Sequence, residues 1–330
     1  MSQPLANCRG VALLTTLLAL VFMVVLTLDF GRVIRRQLTG ANTSMTRIDL
    51  HQRARSAANL ALAVLAADQT SSPYDSVNEH WANGIWLNQQ AATLYDDGQL
   101  ELALDDHSGR LQINALLTPQ GEVDPEQRGR FLRLLSSEAI GLPSEEAEHL
   151  IDALKDWLDP DDETSGFGAE NSWYHALPSP YDCRNGPMLS LDELALVRGF
   201  SPKLLLGADD HPGLLQFLTP YGRDGAVNIN TASAVVLGCL SEGIDHATVE
   251  ALLAYRTGDN HDLSATDWYK NVSGDLTIAH ATVNSHYFGV RVRASLRNLS
   301  LVARATVYRP PAADPQARPL PPILISWGVD

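Results

Sequence analysis

The chain has 330 residues, 45% of them hydrophobic, which is enough for one or two cores beside a membrane anchor. Its net charge of −15 disfavours nucleic acids and anionic membrane surfaces as partners and favours bound cations. The sequence has no phosphate-binding glycine loop, serine-hydrolase motif or HExxH zinc motif, so it gives no support for an enzyme.

The longest apolar stretch without a charge is the 18-residue segment Val11 to Leu28. A helix rises ~1.5 Å per residue, so this segment spans about 27 Å, close to the thickness of a bilayer core. The leader, residues 1–10, is short and polar, and no small-residue cleavage site follows the apolar run, unlike in a secretory signal peptide. The sequence predicts a transmembrane helix with a cleavage point between Gly10 and Val11.

The arginines near this anchor favour a cytoplasmic carboxyl-terminal part. Arg32, Arg35 and Arg36 follow the apolar run and only Arg9 precedes it, so the positive-inside rule would place the carboxyl-terminal part in the cytoplasm. We give more weight to the order of leader and anchor, which places the large carboxyl-terminal part across the membrane.

The helical pattern continues beyond the anchor. Residues 48–68 contain no Gly or Pro, and an apolar face recurs at spacings of three and four. The residues of this face are Ile48, Ala54, Ala58, Ala61, Leu62 and Leu65. Gly31 and Gly40 each weaken a helix by ~1 kcal/mol relative to Ala. We predict one long helix over residues 11–68; the alternative is an anchor, a linker and a separate helix.

Strand patterns occur in two separated sections. In the first, Leu100, Leu102 and Leu104 alternate with other residues, and a turn at 105–109 leads into 110–113, which predicts a β-hairpin. In the second, alternation predicts strands over 287–294, 300–308 and 323–327.

The two β sections are too small to stand alone, so we predict that they share one antiparallel sheet packed on the long helix. Residues 69–113 and 283–330 then form one αβ domain. Residues 114–282 become a large all-α insertion. The predicted fold class is therefore α+β, with the sheet interrupted by the insertion.

The insertion contains a diverged internal repeat. The motif QINALL at 112–117 is similar to VNINTA at 227–232, and each is followed by a glycine-centred turn and an amphipathic helix. The turns centre on Gly141 and Gly243, and Ser144 and Asp245 are predicted N-caps. We predict two helix-hairpin-helix, or SAM-like, units, about 114–217 and 226–282.

Helix-hairpin-helix units also bind DNA, so a DNA-binding or uptake protein is the alternative function. Acidic residues surround both predicted turns and would repel phosphates, which favours protein docking. These residues are Glu145, Glu146, Glu148, Glu242, Asp245 and Glu250.

The densest cluster of carboxylates lies between residues 156 and 171. Closely packed carboxylates repel unless a cation separates them, and oxygen ligands on an irregular loop are typical of Ca²⁺ sites. An EF-hand is excluded because Thr164 occupies the position that requires Gly. The candidate Ca²⁺ ligands are Asp159, Asp161, Glu163, Glu170, Asp182 and Asn185. A solvated acidic loop and a catalytic metal site of a hydrolase are the alternatives.

Cysteine usage leaves one question open. Cys8 lies in the leader, so Cys183 and Cys239 remain in the processed chain. They form either one disulfide or two buried thiols, because the sequence does not establish their proximity.

The leader ending in Arg9-Gly10, the anchor, the interrupted sheet and the paired helical units resemble the type IV pilin-like proteins, in particular the minor pseudopilin K family of type II secretion. Most pilin-like proteins carry Glu at the fifth processed position, which here is Thr15. Absence of that carboxylate is typical of the K family.

The resemblance implies cleavage by prepilin peptidase between Gly10 and Val11, an inner-membrane anchor and a periplasmic carboxyl-terminal part. It further implies that the chain caps the tip of a pseudopilus and nucleates its assembly with the minor pseudopilins I and J. Structural calcium in the helical insertion is also implied, and secreted substrates are candidate further partners. The acidity of the chain predicts that nucleic acid is not a partner. A tip subunit of a related type IV pilus would share these features.

Overall fold

The computed structural model describes residues 8–208, 211–258, 261–311 and 319–329. The α-helices are α1 Cys8–Ser71, α2 Gly84–Ala92, α3 Pro125–Leu135, α4 Ser144–Leu158, α5 Asn171–Tyr174, α6 Pro202–Leu206, α7 Ala234–Cys239 and α8 His246–Thr257. The strands are β1 Gln99–Asp106, β2 Leu111–Gln112, β3 Gly207–Ala208, β4 His211–Pro212, β5 Leu218–Thr219, β6 Val227–Asn228, β7 Ala281–Thr282, β8 Tyr287–Leu296, β9 Leu299–Tyr308 and β10 Ile323–Val329.

Helix α1 is one continuous helix of 64 residues, which confirms the predicted long helix and rules out a separate anchor and linker. It is about 96 Å long at ~1.5 Å per residue, so it extends well beyond a bilayer core. Gly31 and Gly40 do not interrupt it. By length and composition, the helix from Val11 can cross a membrane, and its most apolar stretch is not buried against the rest of the described chain.

A four-stranded antiparallel sheet in the order β1-β8-β9-β10 packs against α1. Alternate residues of β8 and β9 are buried against the helix, including Val290, Val292 and Ala303. The helix contributes small side chains such as Ala54 and Ala61, which allow the close approach of helix and sheet. The predicted strands near the carboxyl terminus are confirmed.

Two local predictions about this unit are wrong. Ile48 is exposed, because the buried face of α1 instead runs through Leu50 and Ala57. The hairpin over residues 100–113 does not form, since β1 pairs with β8 and the short strand β2 pairs in parallel with β5. The partner of β1 lies about 190 residues further along the chain, where local alternation gives no information on pairing.

The region between β1 and β8 has its own hydrophobic core, separate from the core under the sheet. The prediction that residues 114–282 are all-α is wrong in part, because the two-residue strands β3 to β7 also lie there. Trp157, Tyr174 and Trp268 are buried there. Gly141 has the positive φ of 74° expected for its turn, and Asp245 caps α8 by accepting from the amide of Thr248 at 2.8 Å. Ser144 is not an N-cap, because it is already the first residue of α4.

The two similar motifs each hold a buried asparagine directly after an isoleucine, Asn114 after Ile113 and Asn230 after Ile229. The Nδ2 atom of Asn114 donates to the carbonyl oxygens of Met188 at 2.9 Å and Pro220 at 2.7 Å, and its Oδ1 accepts from the Met188 amide at 2.7 Å. Asn230 donates to the carbonyl oxygen of Leu263 at 3.1 Å and accepts from the Trp268 indole at 2.7 Å. Each asparagine therefore fixes distant loops to its motif.

We expect Asn114→Ala to lower the free energy of unfolding by about 2–3 kcal/mol, because it leaves buried amide and carbonyl groups without partners. Asn271→Ala is the matched control, since the Asn271 side chain is exposed and donates only to the Tyr255 hydroxyl. Urea titration followed by tryptophan fluorescence measures both. Equal losses in the two variants would contradict this role of Asn114.

Candidate metal centre

The acidic site begins on the last two turns of α4. Asp152 and Asp156 are four residues apart, so their side chains lie on one face of the helix. The helix ends at Leu158, because Pro160 disfavours helical geometry at Asp159, whose φ and ψ of −80° and 161° are extended. Asp159 is thereby directed to the same side as Asp156.

The loop that follows α4 folds back over these carboxylates. The carboxylate of Asp156 accepts from the amide of Ser165 at 3.1 Å, and Asp152 accepts from the amide of Phe167 at 3.1 Å. Such close approach requires glycine: a Cβ atom on Gly168 would collide with the Asp156 carboxylate, and Gly166 has a φ of 43°.

We expect Gly168→Ala to destabilise the fold by about 1–3 kcal/mol and to displace the Asp156 carboxylate, because the added methyl overlaps it. Gly274→Ala is the control, since nothing lies within 4 Å of a Cβ atom there. The two unfolding midpoints measure the difference. Tolerance of alanine at both positions would refute the tight packing of the loop.

Three carboxylates converge beneath this loop. Asp156, Asp159 and Glu170 are all buried, and each offers an oxygen within 4.8 Å of the others. Both carboxylate oxygens of Asp159 and both of Glu170 lack a hydrogen-bond donor among the described residues. The structure describes one ion pair for this cluster, between the Lys155 ammonium and Asp159 Oδ2 at 3.4 Å.

Burial and mutual repulsion disfavour the ionised forms of these groups. Burial, and then the charge of Asp161, raises the pKa of Asp159 to about 6. Burial, and then the charge of Asp156, raises the pKa of Glu170 to about 7. Burial also raises the pKa of Asp156. At neutral pH the cluster therefore carries negative charge that Lys155 and the Ser165 amide compensate only in part.

In calcium-free buffer, we expect the free energy of unfolding to fall as pH rises from about 4 to 7. Between the ordinary carboxyl pKa near 4 and these raised values, the folded chain holds protons that the unfolded chain has released, so higher pH favours unfolding. Asp159→Asn should flatten this slope. Thermal unfolding across the pH range measures it; an unchanged slope in the variant would exclude Asp159 as its source.

The donor set fits a hard cation. All candidate ligand atoms of the cluster are carboxylate oxygens, and four of them are buried without a hydrogen-bond donor among the described residues, an arrangement that Ca²⁺ would satisfy. Zn²⁺ is disfavoured, because its protein sites are mostly built from His and Cys.

The sequence-predicted ligands divide into two groups. Asp159 and Glu170 lie in the cluster. The structure does not bring Asp161, Glu163 or Asp182 into it: all three are exposed, Asp161 accepts from the Glu163 amide at 2.8 Å, and Asp182 bonds His175 at 2.7 Å.

Asn185 contacts the loop that carries Asp161, and its Oδ1 atom is buried without a hydrogen-bond donor among the described residues, so Asn185 stays a predicted ligand. Its side-chain amide donates to the carbonyl oxygen of Asp161 at 2.8 Å. Asp156 was missed by the sequence analysis, although its spacing from Asp152 on a predicted helix was a usable signal.

Cys183 and Cys239 are both free and buried, so the disulfide between them is not formed. The thiol of Cys183 donates to the carbonyl oxygen of Asp156 at 3.5 Å, and the thiol of Cys239 donates to the carbonyl oxygen of Val235 at 3.0 Å. Burial raises the pKa of each thiol to about 12, which keeps both protonated and unreactive.

The basic side chains near the helical hairpins are used internally. Arg256 is buried and donates to the carbonyl oxygens of Ile229 at 3.1 Å and Ala232 at 2.7 Å. Arg133 donates to the carbonyl oxygen of Cys239 at 2.8 Å. These cations are not directed outward to phosphates, which argues against the DNA-binding alternative.

Comparison with known proteins identifies relatives along most of the chain. Two family models, each described as type II secretion system (T2SS), protein K, match residues 109–208 and 227–291. The type II secretion system protein K of Pseudomonas aeruginosa is 32% identical over 315 residues, covering 91% of this chain and 89% of that protein. The protein K of Aeromonas hydrophila is 32% identical over 210 residues, covering 60% of this chain and 62% of that protein.

A solved structure shares the fold. It is a chain from the crystal structure of the GspK-GspI-GspJ complex of the enterotoxigenic Escherichia coli type 2 secretion system. The TM-score is 0.69 at 18% sequence identity, and the match covers 88% of this chain and 99% of that chain.

Proposed function

This chain belongs to the protein K family of the type II secretion system, and on that premise we propose that it is the minor pseudopilin that caps the pseudopilus tip and nucleates its assembly. The observation that carries the proposal is the insertion between β1 and β8. The remainder is a long helix with a small sheet, whereas the insertion adds a second hydrophobic core of its own. A subunit of that bulk suits the end of a fibre better than its interior.

The anchor supports a terminal position. Counting from Val11, the fifth residue is Thr15, whose hydroxyl donates to the carbonyl oxygen of Ala12 in the same helix at 2.9 Å. Thr15 carries no carboxylate to neutralise the amino terminus of a subunit above it. Prepilin peptidase would cleave between Gly10 and Val11, leaving the anchor in the inner membrane and the sheet and insertion in the periplasm.

We infer that the partners are the minor pseudopilins I and J. The solved chain with the same fold was crystallised in a complex with GspI and GspJ, and α1 offers a long exposed surface for such contacts. Residues 114–282 would act as an inserted domain of two SAM-like units that widens the tip. The exported proteins are candidate further contacts of this domain.

Structural calcium completes the proposal. Asp156, Asp159 and Glu170 would hold the ion and so fix the loop after α4 to the helix. The ion would supply positive charge to buried carboxylates that Lys155 neutralises only in part, and no catalytic step is assigned to it or to any side chain.

The test is purification of the full chain in detergent with calcium, after co-expression with I and J of the same secretion system. We expect a complex with one copy of each, a processed amino terminus at Val11 by mass spectrometry, and no binding to duplex DNA. An amino terminus at Met1 would contradict the pseudopilin assignment. Salt-sensitive DNA binding without complex formation would instead favour the uptake-protein alternative.

A further inference from the structure

Helix α1 packs against β1, β8 and β9 and leaves the edge strand β10 largely uncovered. The pairing of β10 with β9 shows which β10 side chains face the helix. These are the side chains that lie opposite buried residues of β9: Leu324 opposite Val307, Trp327 opposite Ala305 and Val329 opposite Ala303. Opposed residues point to the same face of a sheet, yet Leu324 is 38% and Val329 37% exposed. The apolar inner face of β10 therefore lacks a covering layer among the described residues.

A stripe on the neighbouring flank of α1 continues this surface. Ile48, His51, Arg55 and Leu62 follow one another at spacings of three, four and seven, which places them on one side of the helix. Ile48 is 60% exposed. The guanidinium carbon of Arg55 lies 5.5 Å from the Trp327 ring, so the stripe and β10 form two walls of one channel, the β10 channel.

The composition of β10 indicates that the channel is covered in an assembly. The strand ILISWGV has no charge and no proline, the features that usually protect an edge strand from association. Ile323 and Ile325 are also exposed, so the apolar surface continues around the edge. The strand is about 23 Å long, which matches ~15 residues of helix.

We propose that the β10 channel binds a second helix beside α1: an amphipathic, membrane-anchored helix of a neighbouring pseudopilin that places a carboxylate against Arg55. This rests on the proposed function. Because α1 can enter the bilayer, a partner anchored in the same membrane runs parallel to it at this height. A helix would bury Leu324 and Val329 as α1 buries the residues of β8 and β9.

Charge fixes the chemistry of the partner. Arg55 makes no ion pair with any residue within the described ranges, and it stands between Ile48 and Leu62 in a chain of net charge −15. An apolar helix alone would bury this guanidinium without a counter-charge, which is costly. A Glu or Asp on the apolar border of the incoming helix would satisfy it.

Photocrosslinking in native membranes tests the channel. The full chain, co-expressed with I and J, would carry benzoylphenylalanine at Leu324, Val329 or Ile48. The control position is Ile85 on α2, which is 76% exposed beside the opposite edge strand β1. We expect the first three positions to crosslink the same pseudopilin helix and Ile85 to give at least fivefold less product.

Arg55→Glu should lower the crosslink yield at Leu324 at least fivefold, whereas Arg293→Glu, on the outer face of the sheet, should not. In the Arg55→Glu variant, the crosslink yield should recover when the acidic residue of the partner helix at the mapped crosslink is replaced by Arg.

The outcomes separate the two proposals. Crosslinks from Ile48 but not from Leu324 or Val329, with I and J still co-purifying, would overturn the β10 channel and keep the tip function. Crosslinks from β10 to a second copy of this chain, or to a protein that is not a pseudopilin, would overturn the assigned occupant. Failure of I and J to co-purify with the unmodified chain would count against the tip function itself.

Discussion

Millimolar calcium is expected to raise the unfolding temperature of the full chain in detergent by about 5–10 °C. An ion at about a hundred times its dissociation constant adds about 2.7 kcal/mol, and each kcal/mol shifts the unfolding temperature of a unit the size of the insertion, residues 114–282, by about 2–4 °C. The physical cause is the cluster of Asp156, Asp159 and Glu170, in which the buried carboxylate oxygens of Asp159 and Glu170 lack hydrogen-bond donors among the described residues. Intrinsic tryptophan fluorescence is a suitable probe, because Trp157 is buried on the same helix.

Variants identify the ligands. Asp159→Asn and Glu170→Gln should remove most of the calcium-dependent shift. Without calcium at pH 8, both variants should be at least as stable as the unmodified chain, because each removes a buried charge whose raised pKa shows that ionisation is unfavourable in the fold.

Asp182→Asn is the matched control. Asp182 belongs to the ligand set predicted from sequence, but it is exposed and bonded to His175. It should keep the full calcium shift. Loss of the shift in Asp182→Asn, with retention in Asp159→Asn, would reject the buried cluster and favour a site on the exposed loop.

Sequence patterns predicted the elements whose determinants are local. The long helix followed from an uncharged apolar run and a second segment free of Gly and Pro, and the β8–β9 hairpin followed from alternation around a short turn. Periodicity did not identify the buried face correctly at Ile48, because the position of the sheet decides which flank is covered.

The candidate metal site was predicted only in part, because the sequence shows local clusters of carboxylates but not which of them the fold brings together. Asp159 and Glu170 belong to an acidic run that is visible in the sequence, and both reach the cluster. Asp156 is also acidic but lies inside α4, and only the fold of the loop over that helix brings it to the site. Asp182 is near in sequence yet points to solvent, since its loop is anchored through Cys183 and Asn185 instead.

A buried polar junction connects the sheet, the end of α1 and the insertion. Arg309, which follows β9, pairs with Asp68 of α1 at 3.1 Å and with Asp75 in the next loop. It also donates to the carbonyl oxygen of Ser285 at 2.9 Å. Asn228 of the insertion donates to the carbonyl oxygen of Asp75 at 3.1 Å, so the same junction holds the insertion to the long helix.

We expect Arg309→Met to lower the free energy of unfolding by about 3–5 kcal/mol, because it leaves buried carboxylates without their cation. Burial, followed by the charges of Glu79 and Asp75, already raises the pKa of Asp68 to about 7, and Arg309 is the cation that opposes this shift. Arg293→Met is the control, since its pair with Glu101 at 3.6 Å is exposed and should contribute about 1 kcal/mol or less. Urea unfolding of the full chain measures both.

A double variant distinguishes lost charge compensation from lost packing. Arg309→Met combined with Asp75→Asn removes one stranded charge, while the Asn oxygen can still accept from the Ser285 amide, as Asp75 does at 2.7 Å. It should therefore recover part of the stability lost in Arg309→Met. If the double variant is less stable than the single one, the arginine acts mainly by packing over Phe288, whose ring centre lies 4.8 Å from its guanidinium carbon. Recovery would mean that electrostatic pairing at this junction keeps the insertion fixed to the helix that reaches the membrane.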